Sequence, residues 1–183
     1  MLLDAVRDNV ATETFTFLDI GGGIGAIQHE FLSIDGTSGV GVDASRSYLA
    51  KAQEESKRRG TTNRITQHFG DFVEIAPSVA EADVVTLDRV LCCYDDILPL
   101  VDHAASHAKE VVGLVYPKSV WYNRLGSRMI NLVMRMKRTP FRTFIHDTGL
   151  VEERLGAAGF VKSFGAHAGT WQVVVFGRSG ATS

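Results

Sequence analysis

At 183 residues, with 45 % hydrophobic residues, 22 % charged residues and a net charge of −2, the chain suits one well-buried domain with a single active site rather than two domains. That balance is ordinary for a soluble globular protein, and it excludes the overall basic character that would point to nucleic acid. No apolar run approaches the length of a membrane span.

Residues 1–10 are charged and too short for a signal peptide, so a cytoplasmic location is expected. Leu2, Leu3, Val6 and Val10 are spaced for a short amphipathic helix, and residues 14–20 supply a first strand. That strand breaks into Asp19-Ile20-Gly21-Gly22-Gly23-Ile24-Gly25-Ala26, after which a helical pattern runs over 24–32. Glycine accepts positive φ and carries no Cβ, so such a turn lets a ligand's polar groups approach the backbone and the positive end of the helix. The stretch reads as a nucleotide-type loop. Gly21-x-Gly23-x-x-Ala26 fits the looser dinucleotide fingerprint and Asp19-x-Gly21-x-Gly23-x-Gly25 a tighter one, and spacing alone leaves both open. His29, without a partner in sequence, reads as structural.

Residues 39–43 form a short strand ending in Asp43, 22 residues after Gly21. At that distance a parallel βαβ unit brings a carboxylate to a ribose, where it can accept from both hydroxyls; capping the helix near Ser45 is the alternative. A charged helix over 45–60 is closed by Gly60, and a third strand over 64–69 leads into Gly70-Asp71-Phe72. Residues 82–90 are a near-continuous apolar strand, as for the buried centre of a parallel sheet, and ligands bind at the carboxyl ends of such strands. Asp88 and Tyr94 therefore face the expected reaction site, unless Asp88 pairs with Arg89 or caps the next helix.

That helix is expected over 95–109. It carries His103 and His107 at i,i+4 without a third ligand, so no metal is expected there. Cys92 and Cys93 are adjacent, which disfavours a disulfide and a zinc site, and both read as small packed hydrophobes in a reducing compartment. A fifth strand over 111–116 stops at Pro117, a helix follows over 147–158, and two β-rich runs, 161–168 and 170–177, form a terminal hairpin before a disordered tail at 179–183.

The charge asymmetry lies in the insert 118–144. Lys118, Arg124, Arg128, Arg135, Lys137, Arg138 and Arg142 occur there with no acidic residue, a local +7 that leaves −9 on the rest of the chain. At 100° per residue Arg124, Arg128, Asn131, Arg135 and Arg138 share a stripe about 80° wide, beside Trp121, Leu125, Met129, Leu132, Val133 and Met136. Three readings stay open: a cap over the active site whose Arg124, Arg128 and Arg135 pair with substrate carboxylates or phosphates, a helix on an anionic membrane surface, and a solvated face. Phe141-Arg142-Thr143-Phe144-Ile145-His146 closes the insert, and His146 is a candidate general base if the acceptor must lose a proton.

Asp19-x-Gly21-x-Gly23-x-Gly25 resembles the first motif of class I S-adenosylmethionine (SAM) dependent methyltransferases, and the resemblance runs through nearly the whole chain. It implies a doubly wound, Rossmann-like α/β fold with a seven-stranded, mainly parallel sheet and an antiparallel C-terminal hairpin, within one domain over 1–178. It also implies SAM as cofactor and S-adenosylhomocysteine as product. Asp19, Gly21, Gly23, Gly25 and Asp88 are expected near the amino-acid part, Asp43 at the ribose, and Asp71 and Phe72 at the adenine, with Tyr94 near the acceptor. The segments 88–94, 116–118 and 141–146 are similar to the magnesium-protoporphyrin carboxyl methyltransferase branch, which would suit a carboxylated small-molecule acceptor and O-methylation. A catalytically silent SAM-binding module and an NAD-dependent oxidoreductase are the alternatives. Oligomeric state is not legible in the sequence.

Overall fold

The computed structural model describes residues 1–139 and 142–180. Phe141 of the expected closing motif and residues 181–183 of the expected tail lie outside the described residues. In chain order the elements are α1 (Leu2–Arg7), β1 (Thr16–Ile20), α2 (Ala26–Phe31), β2 (Ser38–Asp43), α3 (Arg46–Arg59), β3 (Ile65–Phe69), α4 (Phe72–Ile75), β4 (Ala82–Asp88), α5 (Leu98–His107), β5 (Ala108–Pro117), α6 (Trp121–Met136), α7 (Thr148–Ala157), β6 (Phe160–Ala168) and β7 (Trp171–Arg178).

The strands form one seven-stranded sheet in the order β3-β2-β1-β4-β5-β7-β6. β3, β2, β1, β4 and β5 are parallel, whereas β7 enters antiparallel between β5 and β6. The doubly wound sheet with an antiparallel C-terminal hairpin is thus observed as expected.

Both faces of the central strands are covered, because side chains alternate across a strand and successive apolar residues need a partner on each side. On β4, Val85 and Leu87 join Leu18, Leu100, Ala104, Val151 and Leu155 on the face carrying α4, α5 and α7. Val84 joins Phe17, Phe31, Ala5 and Val6 on the opposite face beneath α1 and α2. The order of strands reverses between β1 and β4, where a doubly wound sheet opens a crevice at its carboxyl edge.

The boundaries around α5 differ from expectation. β5 begins at Ala108, so residues 108 and 109 are strand and not the end of the preceding helix. Ala108 pairs with Ala82 on β4, and this cross-strand pairing overrides the local helical pattern. α5 starts at Leu98 rather than at residue 95, with Pro99 in its first turn, where a missing N–H costs no intrahelical bond. His107, at the end of α5, bonds its Nε2 to the carbonyl of Ala76 (3.0 Å) and lies 5.4 Å from the Phe72 ring, so it packs as a helix-end residue.

Candidate functional site

The site grows from the carboxyl ends of β1, β2 and β4. At the end of β1 the chain turns through Gly21 (φ +66°) and Gly23 (φ +57°), a left-handed geometry that glycine adopts without penalty. Gly21 N–H donates to the carbonyl of Val42 (2.7 Å), which ties the turn to β2. Asp43 closes it: its Oδ2 accepts from Gly23 N–H (2.9 Å) and its Oδ1 from Ser45 N–H (2.7 Å). Ser45, in turn, caps α3. One carboxylate therefore fixes the glycine turn and the start of α3 together.

Two adjoining cavities open on this clamp. The larger, about 810 Å³, is walled mainly by apolar side chains, including Ile20, Val42, Phe72, Val90 and Tyr94, with Asp43, Ser45 and Arg89 as polar groups at its margin. The smaller, about 600 Å³, is bounded by the glycine turn, Ile24, Ile27, Asp19, Asp88 and Arg89. Gly21, Gly23, Tyr48 and Arg89 belong to both. An apolar slot, a carboxylate that can accept from hydroxyls and a mixed-charge end together can receive a ligand with an apolar ring, hydroxyls and a zwitterionic end.

The residues singled out in the sequence fall into three groups. Gly21, Gly23, Asp43 and Phe72 line the larger cavity with Tyr94, and Asp19 and Asp88 line the smaller one. Gly25 stands back from both, shaping the entry to α2 through its N–H to the Gly22 carbonyl (2.9 Å). Asp71 caps α4 by accepting from Val73 N–H (3.0 Å) and also accepts the Tyr94 hydroxyl (2.7 Å), with both bonds made at Oδ1. Asp88 is held bidentately by Arg89, with both contacts at 3.2 Å.

His146 and the insert arginines lie elsewhere. The imidazole Nε2 is 2.8 Å from the carbonyl of Tyr94; a carbonyl only accepts, so this nitrogen carries the hydrogen. With Phe144 N–H donating to Cys92 O (2.8 Å), that bond ties residues 142–147 to the rim of the larger cavity. Arg124, Arg128 and Arg135 sit on α6, whose neighbouring cavity of about 250 Å³ is a separate one beside Trp171, and none of the three lines the walls of the two clamp cavities. The cysteines diverge: Cys92 is buried as a small hydrophobe, but Cys93 is exposed on the cavity wall, because adjacent residues of one tight turn cannot both face the core. Among the described residues no cluster of His, Cys, Asp or Glu could hold a metal ion.

Tyr48 and Arg89 line both cavities but are not among the site residues expected from the sequence, where Arg89 figures only as a partner for Asp88. Tyr48 lies on the first turn of α3 and bears no motif. Arg89 adopts φ +60°, costly for a side chain with a Cβ, so the fold holds it at the junction of the cavities against local preference. Among the described residues its guanidinium is the one cation on either wall.

Asp19 is fully buried at the end of β1. Its Oδ1 accepts from Thr86 Oγ1 (2.7 Å) and its Oδ2 from Gln28 Nε2 (3.0 Å), and Gln28 Oε1 accepts from Gln67 Nε2 (2.7 Å). Burial pushes its pKa up to about 6 from an ordinary 3.8, against the opposing effect of those bonds. The folded form then holds the proton more tightly than the unfolded chain. Stability is unpenalised by this group below about pH 4, falls as pH rises to about 6, and above that carries a penalty of about 3 kcal/mol. Asp19→Asn should abolish that slope in denaturant titrations across the same range. The new amide can be accommodated by turning over Gln28 and Gln67 together: Gln28 Oε1 then accepts from the amide, and Gln28 Nε2 meets Gln67 Oε1, a buried oxygen now without a partner among the described residues. An unchanged slope in the variant would assign the pH dependence to another group.

No protein-family model matches the sequence, and no curated protein matches it. Solved structures do: 1198 chains match by fold. Magnesium protoporphyrin IX methyltransferase from Synechocystis PCC 6803, with bound SAH, has a TM-score of 0.75 at 19 % identity, over 97 % of this chain and 80 % of that one. An O-methyltransferase family protein from Burkholderia thailandensis has a TM-score of 0.72 at 18 % identity, over 90 % of this chain and 51 % of its own. An O-methyltransferase family 2 protein from Planctomyces limnophilus DSM 3776, in complex with apigenin, has a TM-score of 0.69 at 19 % identity, over 90 % and 50 %. This chain thus spans about half the length of the latter two. At such identities the likeness establishes the fold.

Proposed function

We propose that this chain, which has the fold of the class I SAM-dependent methyltransferases, binds SAM and transfers its methyl group to a small anionic acceptor, with a carboxylate oxygen favoured. The observation that carries the reading is the clamp in which Asp43 holds both Gly23 N–H and Ser45 N–H at the junction of an apolar slot and a mixed-charge pocket. In this reading Phe72, Val42 and Ile20 receive the adenine, Asp43 the ribose, and Arg89 and Asp88 the carboxylate and ammonium of the amino-acid end. Asp71 supports the slot indirectly, through the Tyr94 hydroxyl.

SAM supplies a methyl group already activated by its sulfonium. What remains for the protein is alignment and exclusion of water. The apolar walls of the larger cavity serve exclusion, and the rigid clamp serves alignment. Neither catalytic candidate is suited to taking a proton from the acceptor. The Tyr94 hydroxyl has its pKa raised by burial and by its bond to the Asp71 carboxylate, so it stays protonated at neutral pH, and His146, whose Nε2 donates to the Tyr94 carbonyl and whose Nδ1 keeps its lone pair, lines neither clamp cavity. An acceptor that is ionised in water needs no base, which is why a carboxylate is favoured over a phenol.

The test is release of S-adenosylhomocysteine from SAM in the presence of matched carboxylated and phenolic acceptors. Turnover with the carboxylated set, little changed in His146→Gln, is expected. Turnover confined to phenols and lost in His146→Gln would overturn the carboxylate assignment. Tight SAM binding with no turnover across both sets would favour a silent SAM-binding module.

A further inference from the structure

Helix α6 is mounted with its polar face inward. Ser127 Oγ and Asn131 Nδ2 donate to the carbonyl of Thr143 (2.6 and 2.8 Å), Asn131 Oδ1 accepts from Thr143 N–H (2.8 Å), and Asn123 Nδ2 donates to the carbonyls of Lys118 and Thr170 (2.9 and 3.2 Å). Ser127 is the helix's one buried residue among those described. The opposite arc, about 120° wide at 100° per residue, is wholly apolar. It faces outward, with Trp121 75 %, Leu125 51 %, Met129 61 %, Leu132 58 % and Met136 76 % exposed. Isolated exposed apolar residues are commonplace, but a contiguous helix face of this kind marks a binding surface.

The flanks identify the occupant. Arg124, Arg128 and Arg135 line one edge of the apolar arc and Lys137 the other, while Lys118 and Arg138 bracket the helix and no carboxylate occurs between residues 118 and 144. A second copy of the chain on a two-fold axis would bring these cations against their own images, which is repulsive. An anionic bilayer satisfies both parts at once, since the apolar arc enters the acyl boundary while the flanking cations reach phosphates by snorkelling. Among the described residues no helix is long and apolar enough to cross a membrane, so this contact lies on the surface.

We propose that α6 docks this protein on anionic lipid bilayers, with its apolar arc embedded and its axis parallel to the surface. This goes beyond the methyl-transfer reading and does not depend on it. The test is flotation of the whole chain with vesicles of phosphatidylcholine alone or mixed with phosphatidylglycerol, read together with tryptophan emission. The protein should float with the mixed vesicles, with a blue shift that Trp121→Phe removes. Leu125→Ser with Leu132→Ser should weaken partitioning about a hundredfold. Arg124→Gln, Arg128→Gln and Arg135→Gln together should weaken it by about fivefold per cation and erase the preference for anionic lipid. Circular dichroism and thermal midpoints of the variants report folding separately, and these exposed positions should leave both unchanged. Failure to float with either vesicle, or flotation indifferent to both sets of substitutions, would overturn the proposal. So would a dimer, dissociated by Leu125→Glu, that ignores vesicles, because the face would then belong to a second copy.

Discussion

Replacing Asp43 with alanine should weaken SAM binding about a hundredfold, or about 3 kcal/mol, in calorimetric titration. The loss has two sources. Its carboxylate is the group expected at the ribose hydroxyls, and it also holds Gly23 N–H and Ser45 N–H at 2.9 and 2.7 Å, so its removal loosens the turn and the start of α3 together. Asp43→Asn retains one accepting oxygen and should recover about half of that free energy. If Asp43→Ala bound SAM within about threefold of the parent, the carboxylate would be a helix cap alone, which is worth about 1 kcal/mol of stability and nothing at the ligand.

Gly21→Ala should cost about 3 kcal/mol of folding stability, against about 1 kcal/mol for Gly23→Ala. Both glycines have left-handed φ, +66° and +57°, so both variants carry the conformational penalty. They differ in what the new methyl meets. A Cβ on Gly21 would lie 2.4 Å from Cγ2 of Val90, whereas one on Gly23 meets nothing within 4 Å. The excess should therefore vanish when Val90 is shortened: in a double-mutant cycle, Gly21→Ala with Val90→Ala should regain about 1–2 kcal/mol over additivity. Urea unfolding of the four proteins measures this. Equal losses at Gly21 and Gly23 would mean that the turn yields and that Val90 does not fix its distance from the cavity floor.

These two predictions rest on parts of the site that local sequence makes legible. The glycine turn declares itself because only glycine supplies repeated positive φ beside an exposed backbone, and Asp43 because a βαβ unit sets its distance from that turn. The strands are readable for a similar reason, since both faces of β4 are buried and its run is almost uninterruptedly apolar. What escaped depends on tertiary pairing. Residues 108 and 109, expected as the end of the helix, become strand through pairing with β4. α4, at four residues, is too short for a period to register. Arg89 gains its position from a backbone angle that its own residue type disfavours.

The insert is the instructive case. Its wheel separates a basic stripe from an apolar arc, but periodicity carries no information about which side faces the protein. That is decided by Ser127 and Asn131, whose bonds to Thr143 turn the apolar arc outward. Asp71 is a different matter: its place after β3 is as the sequence suggests, but spacing gives no sign that its Oδ1 accepts from both Val73 N–H and the Tyr94 hydroxyl.

The central claim is that the clamp and its two cavities form an adenosyl amino-acid site. Calorimetric titration of the whole chain with SAM, S-adenosylhomocysteine and NADH in parallel tests it most directly. Micromolar binding of both adenosyl ligands, with no heat from NADH, is the predicted result. Binding of NADH with silence from the other two would contradict the account and return the glycine turn to the dinucleotide reading.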